Sequence, residues 1–262
     1  MVKENNQKTY TASSIVRYYA QLKALQPAEE TVLACLREQL LKMKMLDLGV
    51  GGGRTTQHFA PLVSEYIGLD YSSEMIAACK QRFSLSHPAI SLEVGDARDL
   101  SRFSDNYFDF ILFSFNGIDY ISHRDRLRVF QEINGVGKSG GYFCFSSHNI
   151  QGLEQEFDWR NKLNFNPFSS YVNLVMWAIM RGCNLSMSLH KLKASNYVII
   201  RDEPHNFRLH NYYVRPAEQV KQLEPYFRNI KIYSWKTGRE INGEKELLLN
   251  TDMWLYYLCV IR

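Results

Sequence analysis

The stretch MLDLGVGGGRTT, residues 45–56, places four glycines in the turn that follows a short apolar run. A glycine-rich turn lets the backbone approach a ligand closely, because glycine has no side chain to obstruct the contact. Phosphate groups, dinucleotides and adenosyl groups are all held by such turns after a strand. The residues around the glycines therefore have to distinguish between these ligands.

The spacing of this turn does not match the motifs that bind two of the three ligand classes. A phosphate loop requires lysine after its last glycine, whereas Arg54 stands there. A dinucleotide fingerprint that starts at Gly49 requires its third glycine at the position of Arg54, so that pattern fails as well. What remains is an acid followed by alternating glycines, namely Asp47, Gly49, Gly51 and Gly53.

The turn belongs to a regular alternation of strands and helices. The segments KMLDLG, SEYIGLD, AISLEVGD, YFDFILFSF and YFCFSSH are predicted strands, and GKSGG is expected to be a break before the last of them. Helical patterns lie between them, including SSEMIAACKQRF with Ser72 as its cap, and two further helices are predicted over residues 13–24 and 28–43. Nearly continuous apolar strands separated by helices predict an α/β fold with a parallel sheet that is covered on both faces.

The alternation stops after His148. Residues 150–190 are rich in aromatic and apolar side chains and match no strand–helix unit. The stretch SNYVIIRDEPHNFRLHNYYV predicts an antiparallel hairpin about a turn at residues 202–205. A helix, PAEQVKQLEPYF, and two strands, RNIKIYSW and TDMWLYYLCVIR, are predicted to complete the sheet.

Two more acids follow predicted strands: Asp70 in GLDYS and Asp96 in VGDARDL. Together with LDLGVGGG, they make residues 40–150 similar to the class I S-adenosylmethionine (SAM) dependent methyltransferases. The resemblance implies a Rossmann-like, doubly wound sheet of seven mostly parallel strands with the last strand antiparallel. It also implies SAM as the cofactor.

The resemblance implies a role for each part of the site. Gly49 and Gly51 would let the backbone meet the methionine end of SAM. Asp47 would orient the turn and reach the amino group through water. Arg54 would bind the carboxylate, although it could equally be a solvated helix residue.

The nucleoside end is expected at the next two strands. Asp70 would accept hydrogen bonds from both ribose hydroxyls, because an ionised acid offers acceptors alone. Tyr71 and Met75 would pack on the ribose and adenine. Asp96 and the backbone of Ala97 would bind the adenine edge.

The acceptor side is expected after the fourth and fifth strands. Ser114, Phe115 and Asn116 would lie beneath the sulfonium. Tyr19 would fold over the cofactor from the N-terminal helix, or else pack in the core. His148 is the candidate general base, and the alternative is that it only shapes the pocket.

The resemblance also divides the chain into parts of a single domain. Residues 1–43 would form a helical cap, residues 44–149 the SAM-binding core, residues 150–215 a substrate lid, and residues 216–262 the remainder of the sheet. The chain has 262 residues, a length that suits one domain with an insertion.

The expected substrate is a small molecule or a short peptide, methylated at oxygen or nitrogen. The segment SFNGIDY lacks the proline pair of adenine and glutamine methyltransferases and the Pro-Cys of cytosine C5 enzymes. The net charge of +4 does not indicate nucleic acid. A non-catalytic SAM-binding module and a tRNA or protein methyltransferase remain alternatives, with a dinucleotide oxidoreductase more distant.

Cysteine spacing and hydropathy predict the compartment of the protein and its relation to metals and membranes. The five cysteines are widely spaced and form no C-x-x-C pair, which argues against disulfides or a zinc site and predicts a cytoplasmic protein without bound metal. The stretch YVNLVMWAIM is about half the ~20 residues that a membrane-spanning helix needs, so no membrane contact is expected. The sequence leaves the oligomeric state open.

Overall fold

The structure is a computed structural model that describes residues 13–83, 90–202, 207 and 209–262. Five parallel strands form its centre, in the spatial order β3-β2-β1-β4-β5. They are β1 (Lys44–Leu48), β2 (Glu65–Asp70), β3 (Ile90–Val94), β4 (Phe108–Phe113) and β5 (Gly137–Asn149). The apolar runs of β1 and β4 are almost completely buried, as expected for strands that are covered on both faces.

Two C-terminal strands extend the sheet beyond β5. Strand β9 (Trp254–Ile261) runs antiparallel to β5, and β8 (Phe227–Ser234) pairs antiparallel with β9. The predicted Rossmann-like α/β sheet with its last strand antiparallel is therefore confirmed.

The hairpin adds two more strands, so that the described residues form a sheet of nine strands and not seven. Strands β6 (Tyr197–Arg201) and β7 (His210–Val214) pair antiparallel, and β7 pairs parallel with the end of β5 at His148 and Asn149. His148 also pairs with Trp254 of β9, so β9 occupies one edge of β5. Strand β7 therefore pairs with the other edge, the edge that β4 pairs with nearer the start of β5. Of the predicted turn at 202–205, residues 203–205 lie outside the described residues.

The predicted helices of the core are present. The N-terminal helices are α1 (Ser13–Gln21) and α2 (Pro27–Leu40), and the crossovers contain α3 (Thr56–Phe59), α4 (Ser73–Phe83) and α5 (His123–Val136). Ser72 caps α4 as predicted, since its hydroxyl accepts a hydrogen bond from the backbone N–H of Met75. The break expected at GKSGG is absent, because β5 begins at Gly137 directly after α5.

Residues 150–195 contain three helices that the sequence reading did not predict: α6 (Ile150–Phe157), α7 (Pro167–Cys183) and α8 (Leu189–Ala194). Asn149, Asn166 and Ser188 cap them through their side chains. The helical period was hidden because apolar residues of α7 lie on several sides of the helix, and most of them do not face the core.

Three buried clusters hold these elements together. One lies between the sheet and α5, a second between the sheet and the N-terminal helix α2, and a third beneath the inserted helices. Helix α9 (Pro216–Leu223) packs on β8 and contacts α10 (Glu244–Leu249). Within the described ranges, no helix combines the length and the apolar character needed to cross a bilayer.

Candidate functional site

The glycine turn after β1 adopts a backbone conformation that favours glycine. Gly51 has a φ of +55° and Gly53 a φ of +82°, both in the left-handed region. A Cβ at Gly53 would collide with Cys79 and Phe83, whereas a Cβ at Gly51 would meet only the carbonyl oxygen of Gly49 at 4.0 Å. The turn is therefore packed against the core at Gly53, and it is open at Gly51.

Asp70 connects the end of β2 to this turn. Its carboxylate accepts hydrogen bonds of 2.9 Å from the backbone N–H groups of Gly51 and Ser72. Burial raises the pKa of Asp70 above its ordinary value, while the backbone donors act in the opposite direction. Since a carboxylate offers about four acceptor positions, two donors leave capacity for further hydroxyl donors.

Asp47 lies beneath the turn at the end of β1. Its carboxylate accepts hydrogen bonds from the hydroxyls of Thr55, at 2.5 Å, and Tyr66, at 2.6 Å. Burial raises the pKa of Asp47 to about 6 in spite of these donors. Its charge therefore titrates close to neutral pH.

Arg54 forms a buried ion pair with Glu29 of α2. Two nitrogens of the guanidinium contact the two carboxylate oxygens, one of them at 2.7 Å, and one nitrogen also donates to the hydroxyl of Ser114. Tyr256 donates to Glu29 at 2.8 Å. Burial alone would raise the pKa of Glu29, but the guanidinium of Arg54 reverses this effect and leaves the pKa lowered.

The sequence reading missed Glu29. The stretch PAEE at the start of α2 indicates only favourable acids in the first turn of a helix. No local pattern shows that the first turn of α2 packs on Arg54, which lies more than twenty positions later in the chain. Because Glu29 pairs with Arg54, a cofactor carboxylate would have to share the guanidinium with it, and the predicted role of Arg54 stays a prediction.

A cavity of about 500 Å³ lies at the carboxyl ends of β1, β2, β3 and β4. All residues predicted to bind the cofactor, apart from Asn116, line this cavity. The lining residues among them are Tyr19, Asp47, Gly49, Gly51, Arg54, Asp70, Tyr71, Met75, Asp96, Ala97, Ser114 and Phe115. The structure thus brings together residues from five separate stretches of the chain.

Arg98 is a lining residue that the sequence reading did not select. Its Nε donates to the carboxylate of Asp96 at 2.8 Å, and its guanidinium also contacts Asp125. The pair Asp96–Arg98 therefore fixes the orientation of the carboxylate that was predicted to meet the adenine.

The turn after β4 is strained. Phe115 and Asn116 have φ values of +56° and +60°, which non-glycine residues rarely adopt and which cost about 1–3 kcal/mol each. The hydroxyl of Ser146 accepts a 2.7 Å hydrogen bond from the backbone N–H of Asn116. The ring of Phe115 lies across the cavity, with the Tyr19 ring centred 6.2 Å away and the Arg54 guanidinium at 4.9 Å.

His148 lies at the end of β5 with both ring nitrogens in hydrogen bonds. Its Nδ1 is 2.8 Å from a carboxylate oxygen of Asp119, and its Nε2 is 3.2 Å from the side-chain nitrogen of Asn116. It is not among the described residues that line the cavity, and it approaches the cavity through Asn116, whose neighbours Phe115 and Gly117 line it. The proposed role of His148 as a base thus requires Asn116 to give up this contact.

Asp119 is the second functional candidate that the sequence reading missed. It is fully buried and accepts hydrogen bonds from Arg126, from Ser147 and from both the backbone and the ring of His148. The sequence GIDY places an acid after β4, but it does not show that the acid faces β5. Asp119 holds the His148 ring in one orientation.

The predicted lid contacts the rim of the cavity. No residue of 150–215 is among the described residues that line it. The hairpin reaches the rim at His123, whose ring stacks on Tyr197 with centroids 4.2 Å apart and whose Nδ1 is 2.7 Å from the hydroxyl of Tyr212. A lid function for residues 150–215 stays a prediction.

Comparisons with known proteins agree with this geometry. Residues 45–141 match the family model described as a methyltransferase domain. Over these residues the chain is therefore similar to methyltransferase domains. Solved structures with the same fold include SAM-dependent methyltransferases.

Two relatives match the same part of the chain. A Bacillus subtilis protein named as the methyltransferase YqeM is 29% identical over 117 residues, which are 44% of this chain and 47% of that protein. A demethylmenaquinone methyltransferase from Paenarthrobacter aurescens is 32% identical over 120 residues, 45% of this chain and 42% of that enzyme. The matched part thus spans less than half the length of these relatives.

Solved structures share the fold over nearly the whole chain. The CcbJ methyltransferase from Streptomyces caelestis has a TM-score of 0.63 at 14% identity and covers 97% of this chain and 98% of its own. A SAM-dependent methyltransferase from Mesorhizobium loti has a TM-score of 0.59 at 16% identity, covering 90% and 98%. At such low identity these similarities establish the fold alone.

The residues present suit SAM. The open position at Gly51 provides the cradle that a Cβ would fill, and it lies beside the carboxylate of Asp70. Asp47 and Asp70 are buried carboxylates on a cavity wall, which favours a ligand that carries an ammonium and a sulfonium group. Tyr71 and Met75 supply apolar surface for a nucleoside.

The Glu29–Arg54 pair predicts a coupled loss of stability. Glu29→Gln or Arg54→Met alone leaves one buried charge without its partner and should lower the free energy of unfolding by about 3–5 kcal/mol. The double variant should cost clearly less than the sum of the single losses. Urea denaturation of the four proteins measures this coupling, and additive losses would show that the pair does not act as a unit.

The raised pKa of Asp47 predicts a pH-dependent affinity for SAM. A bound ammonium group favours the ionised acid, so binding releases a proton and the affinity should fall by up to about tenfold from about pH 7 to about pH 5. Asp47→Asn should bind more weakly at neutral pH and lose this part of the pH dependence. Isothermal titration of both proteins across the range provides the measurement, and parallel pH profiles would contradict the prediction.

Proposed function

We propose that the protein transfers a methyl group from SAM to an oxygen or nitrogen atom of a small molecule or a short peptide. The observation that carries this proposal is the cavity at the carboxyl edge of the sheet, where the predicted cofactor residues meet. Ligands of doubly wound sheets bind at this edge, near the point where the strand order reverses. In this sheet the reversal falls between β1 and β4.

The residues of the chain would act mainly by positioning. When bound, SAM supplies an electrophilic methyl group on a positively charged sulfur. Asp70 and Asp96 would hold the nucleoside, and the open backbone at Gly51 would hold the methionine end. Phe115 and Tyr19 would exclude water from the reacting atoms, and fixed geometry of this kind accounts for much of the acceleration of a displacement reaction.

His148 is the proposed proton acceptor for a hydroxyl substrate. The contact with Asp119 places the proton of a neutral imidazole on Nδ1 and leaves Nε2 as the acceptor atom. Nε2 faces the amide of Asn116, so a substrate hydroxyl would take the place of this amide. An amine substrate would need no base if it arrived neutral.

Several features of the chain support the proposed substrate class. The segment after β4 lacks the motifs of nucleic-acid methyltransferases, and the net charge is small. Residues 150–215, whose hairpin contacts the cavity rim at His123, are proposed as the part that covers the acceptor. Residues 1–43 would form the cap over the cofactor, since Tyr19 lines the cavity.

A non-catalytic SAM-binding module is the second candidate. It is favoured by the hydrogen bonds that occupy both ring nitrogens of His148 and by the neutralisation of Arg54 by Glu29. Binding of SAM without methyl transfer to any member of a broad acceptor panel would support this candidate against the enzyme.

Cofactor binding tests the proposal directly. Isothermal titration should show binding of SAM and of its demethylated product. Asp70→Asn should weaken both by about 10- to 100-fold, because one charged hydrogen-bond acceptor for the ribose is lost. Asp105→Asn, an exposed acid, serves as the matched control and should bind like the parent protein. Absence of binding in the parent protein would refute the proposal.

Turnover of His148→Ala tests the base. With a hydroxyl acceptor, kcat should fall by about 100-fold or more while the affinity for SAM stays within about twofold. His190→Ala is the matched control, because His190 is exposed on α8. Unchanged kcat in His148→Ala would remove His148 from the mechanism, and a matching loss of SAM affinity would point to a structural role.

A further inference from the structure

Helix α7 carries an apolar stripe that faces solvent. Phe168, Tyr171, Val172, Val175 and Ile179 recur at the spacing of one helical face, and all of them are exposed, Phe168 at 75% and Tyr171 at 66%. An amphipathic helix of a globular protein normally buries such a stripe. Of the seventeen residues of α7, only Ser170 and Met180 are buried.

The neighbouring segments extend this surface. Trp159, Leu163 and Phe165 precede α7 and Leu185 follows it, and each is at least half exposed. We call these four residues and the stripe of α7 the apolar face. Contiguous exposed apolar patches of this size are uncommon on monomeric proteins and mark interaction sites.

Positive charge predominates in the segment that carries the apolar face. Between residues 159 and 201 the sequence contains no aspartate or glutamate and six lysines or arginines. Arg160 is exposed beside Trp159 and pairs with Asp158 at 2.5 Å, whereas Lys191 and Lys193, exposed on α8, have no acid of residues 159–201 near them. Lys193 lies close enough to Asp158 to lower the pKa of that acid, and Lys191 donates to the carbonyl of Ser186 beside Leu185. The cations thus flank the apolar face.

We propose that the apolar face docks on an anionic lipid surface. Aromatic and aliphatic side chains would enter the boundary between headgroups and acyl chains, while Arg160, Lys191 and Lys193 would contact anionic headgroups. A two-fold contact between copies of the chain would instead bring these cations toward one another without an acid from residues 159–201 to offset them. Charge complementarity therefore favours the lipid.

The proposal differs from the sequence-based expectation of no membrane contact. That expectation considered only whether a segment could span the bilayer, and α7 is shorter than the ~20 residues required. A helix that lies in the interface needs one apolar face and flanking cations, and it does not need that length. The docking does not depend on methyl transfer, so failure of either proposal leaves the other open to its own test.

Co-sedimentation with vesicles tests the docking. The full chain should bind vesicles of equal parts phosphatidylcholine and phosphatidylglycerol, bind pure phosphatidylcholine much less, and be released as salt is added. Phe165→Ser/Phe168→Ser should lower the partition coefficient by at least about tenfold, because two exposed aromatic anchors are lost. Lys191→Gln/Lys193→Gln should reduce the preference for the anionic vesicles.

Leu248→Ser/Leu249→Ser is the matched control. These leucines are also exposed but lie on α10, outside the apolar face, so their replacement should leave vesicle binding unchanged. Circular dichroism of each variant checks that it folds. The proposal is overturned if the parent chain does not bind anionic vesicles or if Phe165→Ser/Phe168→Ser binds as well as the parent. A dimer in sedimentation velocity that this variant dissociates, without vesicle binding, would assign the face to a second copy.

Discussion

The buried ion pair between Glu29 and Arg54 is the interaction on which the arrangement of the site depends. It joins the N-terminal helix α2 to the glycine turn, and through Ser114 and Tyr256 it reaches the ends of β4 and β9. Burial of two charges is unfavourable unless each is paired and hydrogen-bonded. The pair therefore specifies one position of α2 over the sheet and fixes Arg54, which lines the cavity.

Asp119 plays a comparable part on the acceptor side. Its carboxylate accepts hydrogen bonds from side chains of α5 and β5, and Arg126 also donates to Gln219 of α9. The donors come from α5 and β5, and Gln219 of α9 holds Arg126, so the position of His148 depends on the packing of three elements. A ring fixed in this way can hold one nitrogen toward a substrate without reorganisation.

Much of the fold could be predicted from the sequence, because periodicity and caps are local signals. The parallel core strands and Ser72 as a cap follow from patterns within a few residues, whereas the antiparallel last strand was expected from the resemblance to methyltransferases. Helix α7 could not be predicted in this way, since apolar residues lie on several of its sides and obscure the helical period. The addition of the hairpin to the sheet depends on pairing between β5 and β7, about 65 residues apart, which no local pattern specifies.

The residues of the site also fall into those that the sequence indicates and those that only tertiary contacts explain. Residues in the glycine turn and at the strand ends were identified because the carboxyl edge of a parallel sheet gathers them. Glu29, Arg98 and Asp119 were missed, because their roles arise from tertiary contacts with Arg54, Asp96 and His148. The sequence could thus indicate which groups line the cavity, but not which partners hold them.

Strand β5 has a consequence for the way in which the protein unfolds. This strand of thirteen residues pairs with β4 near the core. At its C-terminal end, His148 and Asn149 pair with β7 of the hairpin. The hairpin cannot detach without opening the ladder at His148. Local opening of the hairpin therefore removes one of the two strands that pair with His148, while β9 and Asp119 continue to hold this residue.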